Sequence, residues 1–150
     1  MKTISKKQLD TLFEVAGQTM KNSYSPYSKF PVGAAILAGS GKIYGGTNIE
    51  NASLGVTICA ERTAIFAAVA AGEREFKALA VVFKEKIGPA STPCGLCRQV
   101  MAEFFKPDMP IYRADLATGK PQHISYKRLK DYYPHPFSPA AFKKPKISKK

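Results

Sequence analysis

Between residues 6 and 21, apolar side chains recur at Leu9, Leu12, Phe13, Ala16 and Met20, a spacing that gathers them on one face of a helix. Ser5 stands before them as an N-cap, and Ile4 is placed to staple the first turn. Pro26, Pro31 and several turn formers then predict a loop over 22–31. The apolar run 32–38, the Gly39-Ser40-Gly41 turn and residues 42–46 read as a β-hairpin. Small residues in its first strand (Gly33, Ala34, Ala35) predict something packed closely over it. An alanine-rich helix is expected from 59 or 60 to 71, ended by Gly72. Residues 78–83 are continuously apolar, as in a central strand covered on both faces. A short helix over 95–105, a strand over 110–116, a weak strand over 122–125 and a terminal helix over 126–132 follow, before Pro134, Pro136 and Pro139 break regular structure.

The order α-β-β-α-β-α-β-β-α predicts an α/β fold, a three-layer α/β/α sandwich in which a mixed five-stranded sheet carries helices on both faces. One domain over 1–137 and a basic, flexible tail over 138–150 are expected, with no internal repeat. At 150 residues, 45% hydrophobic and 23% charged, the chain can bury a core of ordinary size. No apolar run approaches the ~20 residues of a membrane helix, and no apolar segment follows the basic start as in a secretory signal. The net charge of +12 owes much to Lys143, Lys144, Lys146, Lys149 and Lys150; no aromatic interleaves with them, so they read as a solvated tail rather than a nucleic-acid surface.

The three cysteines change this picture. Their odd count, and the closeness of Cys94 to Cys97, fit reduced thiols in the cytoplasm better than a disulfide framework. Cys59 opens one expected helix and Cys94-Gly95-Leu96-Cys97 opens another; the two helices flank the same buried strand, so packing on one face of the sheet joins their N-termini. Helix N-termini favour thiolates. Three thiolates around one Zn²⁺ leave one position open, and Glu61, two residues after Cys59, can move protons there. Arg62 is placed to offset the surplus negative charge on the sulfurs. His123 and His135 lie far downstream and are assigned to surface or packing. Asn48 and Glu50 fall on one side of an extended chain leading to Cys59. For Tyr24, Tyr27 and Phe30 two readings stand: packing that pins their loop, or the wall of a pocket for a flat ligand.

Tyr24-Ser25-Pro26-Tyr27-Ser28-Lys29-Phe30-Pro31-Val32-Gly33-Ala34-Ala35, Asn48-Ile49-Glu50-Asn51-Ala52-Ser53, Cys59-Ala60-Glu61-Arg62-Thr63-Ala64 and Pro93-Cys94-Gly95-Leu96-Cys97-Arg98-Gln99-Val100 resemble the motifs of the cytidine deaminase family. The likeness runs from about residue 24 to 105, with a weaker echo to Phe137. It implies a catalytic domain with one zinc per subunit on Cys59, Cys94 and Cys97, with Pro93 setting the second motif, and Glu61 as proton shuttle. It also implies ribose hydroxyls on Asn48 and Glu50, a pyrimidine stacked on Phe30, and the Ala60 backbone at the base edge. The implied reaction is hydrolytic deamination of cytidine and deoxycytidine at C4, for pyrimidine salvage, in a homotetramer whose sites lie at subunit boundaries. Phe137 would then reach a neighbour's pocket. Leu54 departs from the family, where many relatives carry tyrosine, and Tyr132-Tyr133-Pro134-His135-Pro136-Phe137 replaces Leu-Leu-Pro-x-x-Phe. Three other readings are another small aminopyrimidine such as blasticidin S, a cytosine in nucleic acid, and a non-catalytic zinc module. Glu50 speaks against nucleic acid, because a carboxylate in the sugar site repels a phosphodiester.

Overall fold

The computed structural model describes residues 4–86, 88 and 91–138. Helix α1 (Lys6–Met20) opens on a reciprocal cap: the Gln8 N–H donates to Ser5 Oγ, and the Ser5 N–H donates to Gln8 Oε1. Strands β1 (Val32–Ala38) and β2 (Ile43–Thr47) form the expected antiparallel hairpin, with Ala38 and Lys42 bonded across its turn. A 3₁₀ turn at Leu54–Val56 leads to α2 (Ala60–Ala70). Strand β3 (Phe76–Phe83) then runs into the loop before α3 (Gly95–Phe104), and β4 (Pro110–Asp115), β5 (Gln122–Arg128) and α4 (Leu129–Tyr132) complete the fold.

The sheet order is β2-β1-β3-β4-β5. Only the β3–β4 pair is parallel, with α3 as its crossover, so the sheet is mixed and β3 is central. Its alternation explains the unbroken apolar run: Leu79, Val81 and Phe83 face the core built with α2 and α3, while Ala78, Ala80 and Val82 face that built with α1. The three layers and the five strands follow the sequence expectation.

One element departs from it. Residues 126–128 continue β5 rather than starting a helix, and only Leu129–Tyr132 is helical. Tyr126 lies opposite Tyr112 with ring centroids 5.5 Å apart, so cross-strand stacking overrides a weak helical pattern. Of the tail over 138–150, read above as basic and flexible, residues 139–150 lie outside the described residues.

The small residues of the hairpin are where helices touch the sheet. A Cβ on Gly33 would strike the Ala16 carbonyl oxygen of α1, and one on Gly46 would strike the Ala64 nitrogen of α2 and come within 2.7 Å of the Ala60 oxygen. The start of α2 therefore rests directly on β2.

Candidate functional site

Because β1 runs antiparallel to both neighbours, its first residue, the last residue of β2 and the last of β3 share one end of the sheet. Three segments converge there: the loop before β1, the segment from Asn48 to α2, and the loop from β3 to α3. Between them lies a cavity of about 430 Å³ whose walls include Phe30, Asn48, Glu50, Cys59, Glu61 and Cys94. Ligands of α/β sheets bind in such crevices beyond the carboxyl ends of strands.

Cys59 and Cys94 are the N-cap residues of α2 and α3. Their sulfurs are 3.8 Å apart, Cys94 and Cys97 are 3.5 Å apart, and all three lie within 4.8 Å of one another. Tetrahedral Zn–S bonds of ~2.3 Å put neighbouring sulfurs ~3.8 Å apart, so the trio fits one zinc ion. Among the described residues no carboxylate or imidazole joins the three sulfurs, which leaves the open position of a catalytic rather than a structural site. The acidities agree. Hydrogen bonding with Cys97, helped by Arg62, draws the Cys59 thiol down to about 5, whereas Cys97 is pushed upward by the same contact and by its burial. A second thiolate beside the first needs a cation among the sulfurs. Arg62 Nη2 donates to the Thr57 carbonyl at 2.8 Å and lies 3.8 Å from Cys59 Sγ, as its expected charge-offsetting role requires.

Glu61 sits in the first turn of α2, 6% exposed, on the cavity wall. Burial pushes its carboxyl up to about 7, where a group can both take and return a proton. Ala60, fully buried at the first helical position, lines the same cavity, and the first N–H groups of a helix have no partner within it.

The Asn48 side chain is held on three sides. Its Oδ1 accepts from Ser23 Oγ at 2.6 Å and from the Val32 N–H at 2.9 Å, and its Nδ2 donates to the Phe30 carbonyl at 2.9 Å. One amide hydrogen remains to donate. The Tyr27 and Ser28 N–H groups donate to Glu50 Oε2 at 2.9 and 3.2 Å. The Ser28 hydroxyl, with these bonds, holds the Glu50 carboxyl below the usual carboxylate range. Phe30 packs on Phe83 with centroids 5.8 Å apart and keeps a face on the cavity. This divides the three aromatics of the loop: Phe30 is wall, while Tyr24 and Tyr27 are exposed, and the loop is pinned by backbone bonds from Tyr24 to Asn48 and Glu50 rather than by their rings.

Pro93 is buried, and its carbonyl accepts from Arg98 Nε at 2.7 Å. Phe137 is exposed and does not line the cavity; Gln99 Nε2 donates to its carbonyl at 2.9 Å. His123 bonds Asp115 at 2.7 Å and His135 is exposed, so both stand apart from the sulfurs. Ser23, Thr92 and Arg113 had no place in the sequence reading, and Ser28 and Arg98 stood only inside quoted motifs with no role assigned. A hydroxyl or guanidinium whose partner lies far along the chain gives no local pattern.

The chain matches the sequence profile of the cytidine and deoxycytidylate deaminase zinc-binding region over residues 6–112. It is 54% identical over 108 residues to a cytidine deaminase of Sporosarcina psychrophila, covering 72% of this chain and 78% of that one. To a cytidine deaminase of Halalkalibacterium halodurans it is 47% identical over 118 residues, 79% of this chain and 87% of the relative. The crystal structure of cytidine deaminase from Burkholderia pseudomallei superposes with a TM-score of 0.77 at 40% identity, covering 89% of this chain and all of that one.

Proposed function

The chain belongs to the cytidine and deoxycytidylate deaminase family, and from that premise we propose that it deaminates free cytidine and deoxycytidine hydrolytically, giving uridine or deoxyuridine and ammonia. The observation that carries this reading is the convergence of three sulfurs within 4.8 Å, the Glu61 carboxyl and the Asn48–Glu50 pair on one cavity. Zinc, held by Cys59, Cys94 and Cys97, supplies the Lewis acid that lets water act as a nucleophile at neutral pH.

The remaining work falls to side chains. Glu61 takes a proton from the attacking water as the C4–O bond forms and passes it to ring N3; it then takes the second proton from the new C4 hydroxyl, which becomes the carbonyl, and delivers it to the amino group as the C4–N bond breaks. Water enters and ammonia leaves. Phe30 stacks the ring, and the Ala60 backbone meets its amino and N3 edge. The free amide hydrogen of Asn48 donates to a ribose oxygen, and Glu50 accepts from a ribose hydroxyl. A free sugar suits that carboxylate, whereas a phosphodiester does not.

Pyrimidine salvage in the cytoplasm is the setting this chemistry suits; three cysteines free of disulfides support it, and no helix among the described residues is long and apolar enough to cross a membrane. The catalytic domain extends to residue 137, with 138–150 a basic tail. The working form is a homotetramer. Leu54, Val56, Phe66, Leu96 and Phe137 are all exposed, apolar surface available for burial in an assembly. Phe137 belongs to that surface and completes a neighbour's site.

The test is incubation of the purified protein with cytidine, deoxycytidine, CMP and single-stranded DNA, following loss of the cytosine absorbance. Turnover of the two nucleosides alone is expected; turnover of neither overturns the proposal. Light scattering at assay concentration reads the assembly, and a monomer there refutes the tetramer.

A further inference from the structure

Two arginines grip the segment that leads into Cys94. Arg98, on α3, donates from Nε to the Pro93 carbonyl at 2.7 Å, from Nη2 to Thr92 Oγ1 at 3.1 Å and from Nη1 to the Tyr132 carbonyl at 3.1 Å. Arg113, on β4, donates from Nη1 to the Ser91 carbonyl and from Nη2 to Ser125 Oγ at 3.2 Å, on β5. Three consecutive residues, 91 to 93, are thus tied to α3, β4 and, through Arg113, to β5. Both guanidinium carbons lie over the Tyr132 ring, at 5.7 and 6.0 Å from its centroid.

This arrangement is poor as a source of stability. Arg113 is 8% exposed, and the groups its guanidinium is seen to bond are a carbonyl and a hydroxyl. Among the described residues, Arg113 Nε and the Tyr132 hydroxyl are buried without a hydrogen-bond partner. Burying a cation costs free energy that neutral hydrogen bonds and a ring face recover only in part. What it provides is geometric: a fork on β4 fixing one carbonyl three residues before the N-cap cysteine whose sulfur lies 3.8 Å from that of Cys59. We propose that Arg113, seated on Tyr132, is a positioning residue for the metal site, holding the 91–93 segment so that Cys94 is preset for the ion. The proposal rests on the three cysteines being zinc ligands; it does not depend on which substrate is turned over.

A structural role and a positioning role predict opposite results for Arg113→Met, which replaces the buried cation by an apolar chain of similar length. Replacing buried charge in this way is often neutral or stabilising, so the melting temperature of the zinc-loaded variant is expected to hold or rise. Release of zinc to a chromogenic chelator is expected to accelerate by roughly ten-fold, the lower end of what loss of a supporting contact costs. With cytidine, kcat falls while KM stays, because Asn48 and Glu50 hang from other segments. Arg113→Lys, which keeps the charge and one donor, restores part of the zinc retention. If Arg113→Met does not fold, Tyr132→Leu, which removes the ring beneath both guanidinium groups, is read in the same way and is expected to release zinc faster. Wild-type zinc release from whichever of the two folds overturns the proposal, as does faster release accompanied by a matching loss of thermal stability. Zinc release is measured without nucleoside, so failure here and failure of the deaminase reading remain distinguishable.

Discussion

Gly46→Ala is the substitution that asks most sharply whether the seat of α2 sets the chemistry. The added Cβ points at α2, where it would come within 2.7 Å of the Ala60 oxygen and closer still to the Ala64 nitrogen. Both are backbone atoms, so no side chain can rotate away. Reaching the 3.4 Å at which ordinary contact begins requires α2 to move by about 0.7 Å at the least. That shift carries Cys59 and Glu61, which occupy the N-cap and the first turn of the same helix. Overpacking of this kind costs ~1–3 kcal/mol, or roughly 3–10 °C in melting temperature for a chain of this size. A misplacement approaching 1 Å in a catalytic group costs on the order of a hundred-fold in rate. Gly45→Ala is the control: its Cβ meets Thr19 and Val15 of α1, on the other face of the sheet. It should cost comparable stability and leave the turnover of folded protein alone. Thermal melts, zinc content and loss of cytosine absorbance, measured on both variants below their melting range, decide the matter. Equal turnover in the two, or wild-type turnover in Gly46→Ala, would refute the reasoning.

Glu61→Gln removes the proton shuttle while keeping shape; kcat is expected to fall by roughly 10²–10⁴ with zinc content unchanged, and a fully active zinc-loaded variant would sink the mechanism. Cys97→Ser replaces a fully buried soft ligand by a hard one and should weaken zinc binding at least ~10-fold, read by competition with a chelator. Glu50→Gln removes a charged hydrogen bond to the sugar, worth ~1.5–3 kcal/mol, so KM for cytidine should rise by roughly ten- to a hundred-fold with little change in kcat. Since the Ser28 hydroxyl and two N–H groups hold the Glu50 carboxyl low, it stays ionised above the ordinary carboxylate range. KM is accordingly expected to be flat from pH 6 to 9, and a steep rise as the pH falls through 6 would contradict that account.

The positions of the helices and strands were legible where one periodicity dominated. Residues 6–20 carry a single apolar stripe, residues 78–83 an unbroken run, and both form the elements expected of them. Residues 126–128 were not legible because their competing patterns are resolved by Tyr112, which is distant in sequence. At the site, Cys59, Glu61, Cys94 and Cys97 announced themselves by residue type and spacing. Asn48 and Glu50 did so only through the segment they precede. Hidden altogether were the groups that orient these residues. Ser23 reaches Asn48 across 25 positions and Arg113 reaches Ser91 across 22, and neither hydroxyl nor guanidinium differs locally from a solvated one.

Cys59 and Cys94 lie 35 residues apart in the chain, on either side of β3. An ion shared between them is therefore also a cross-link, closing a loop that contains α2 and the central strand of the sheet. Cross-links over loops of this length stabilise by several kcal/mol in the chain-entropy picture, and a ligand bound only by the native state adds to this with its free concentration. The lifetime of the folded enzyme, and so its abundance in a cell that degrades unfolded chains, should track zinc supply as closely as its turnover does.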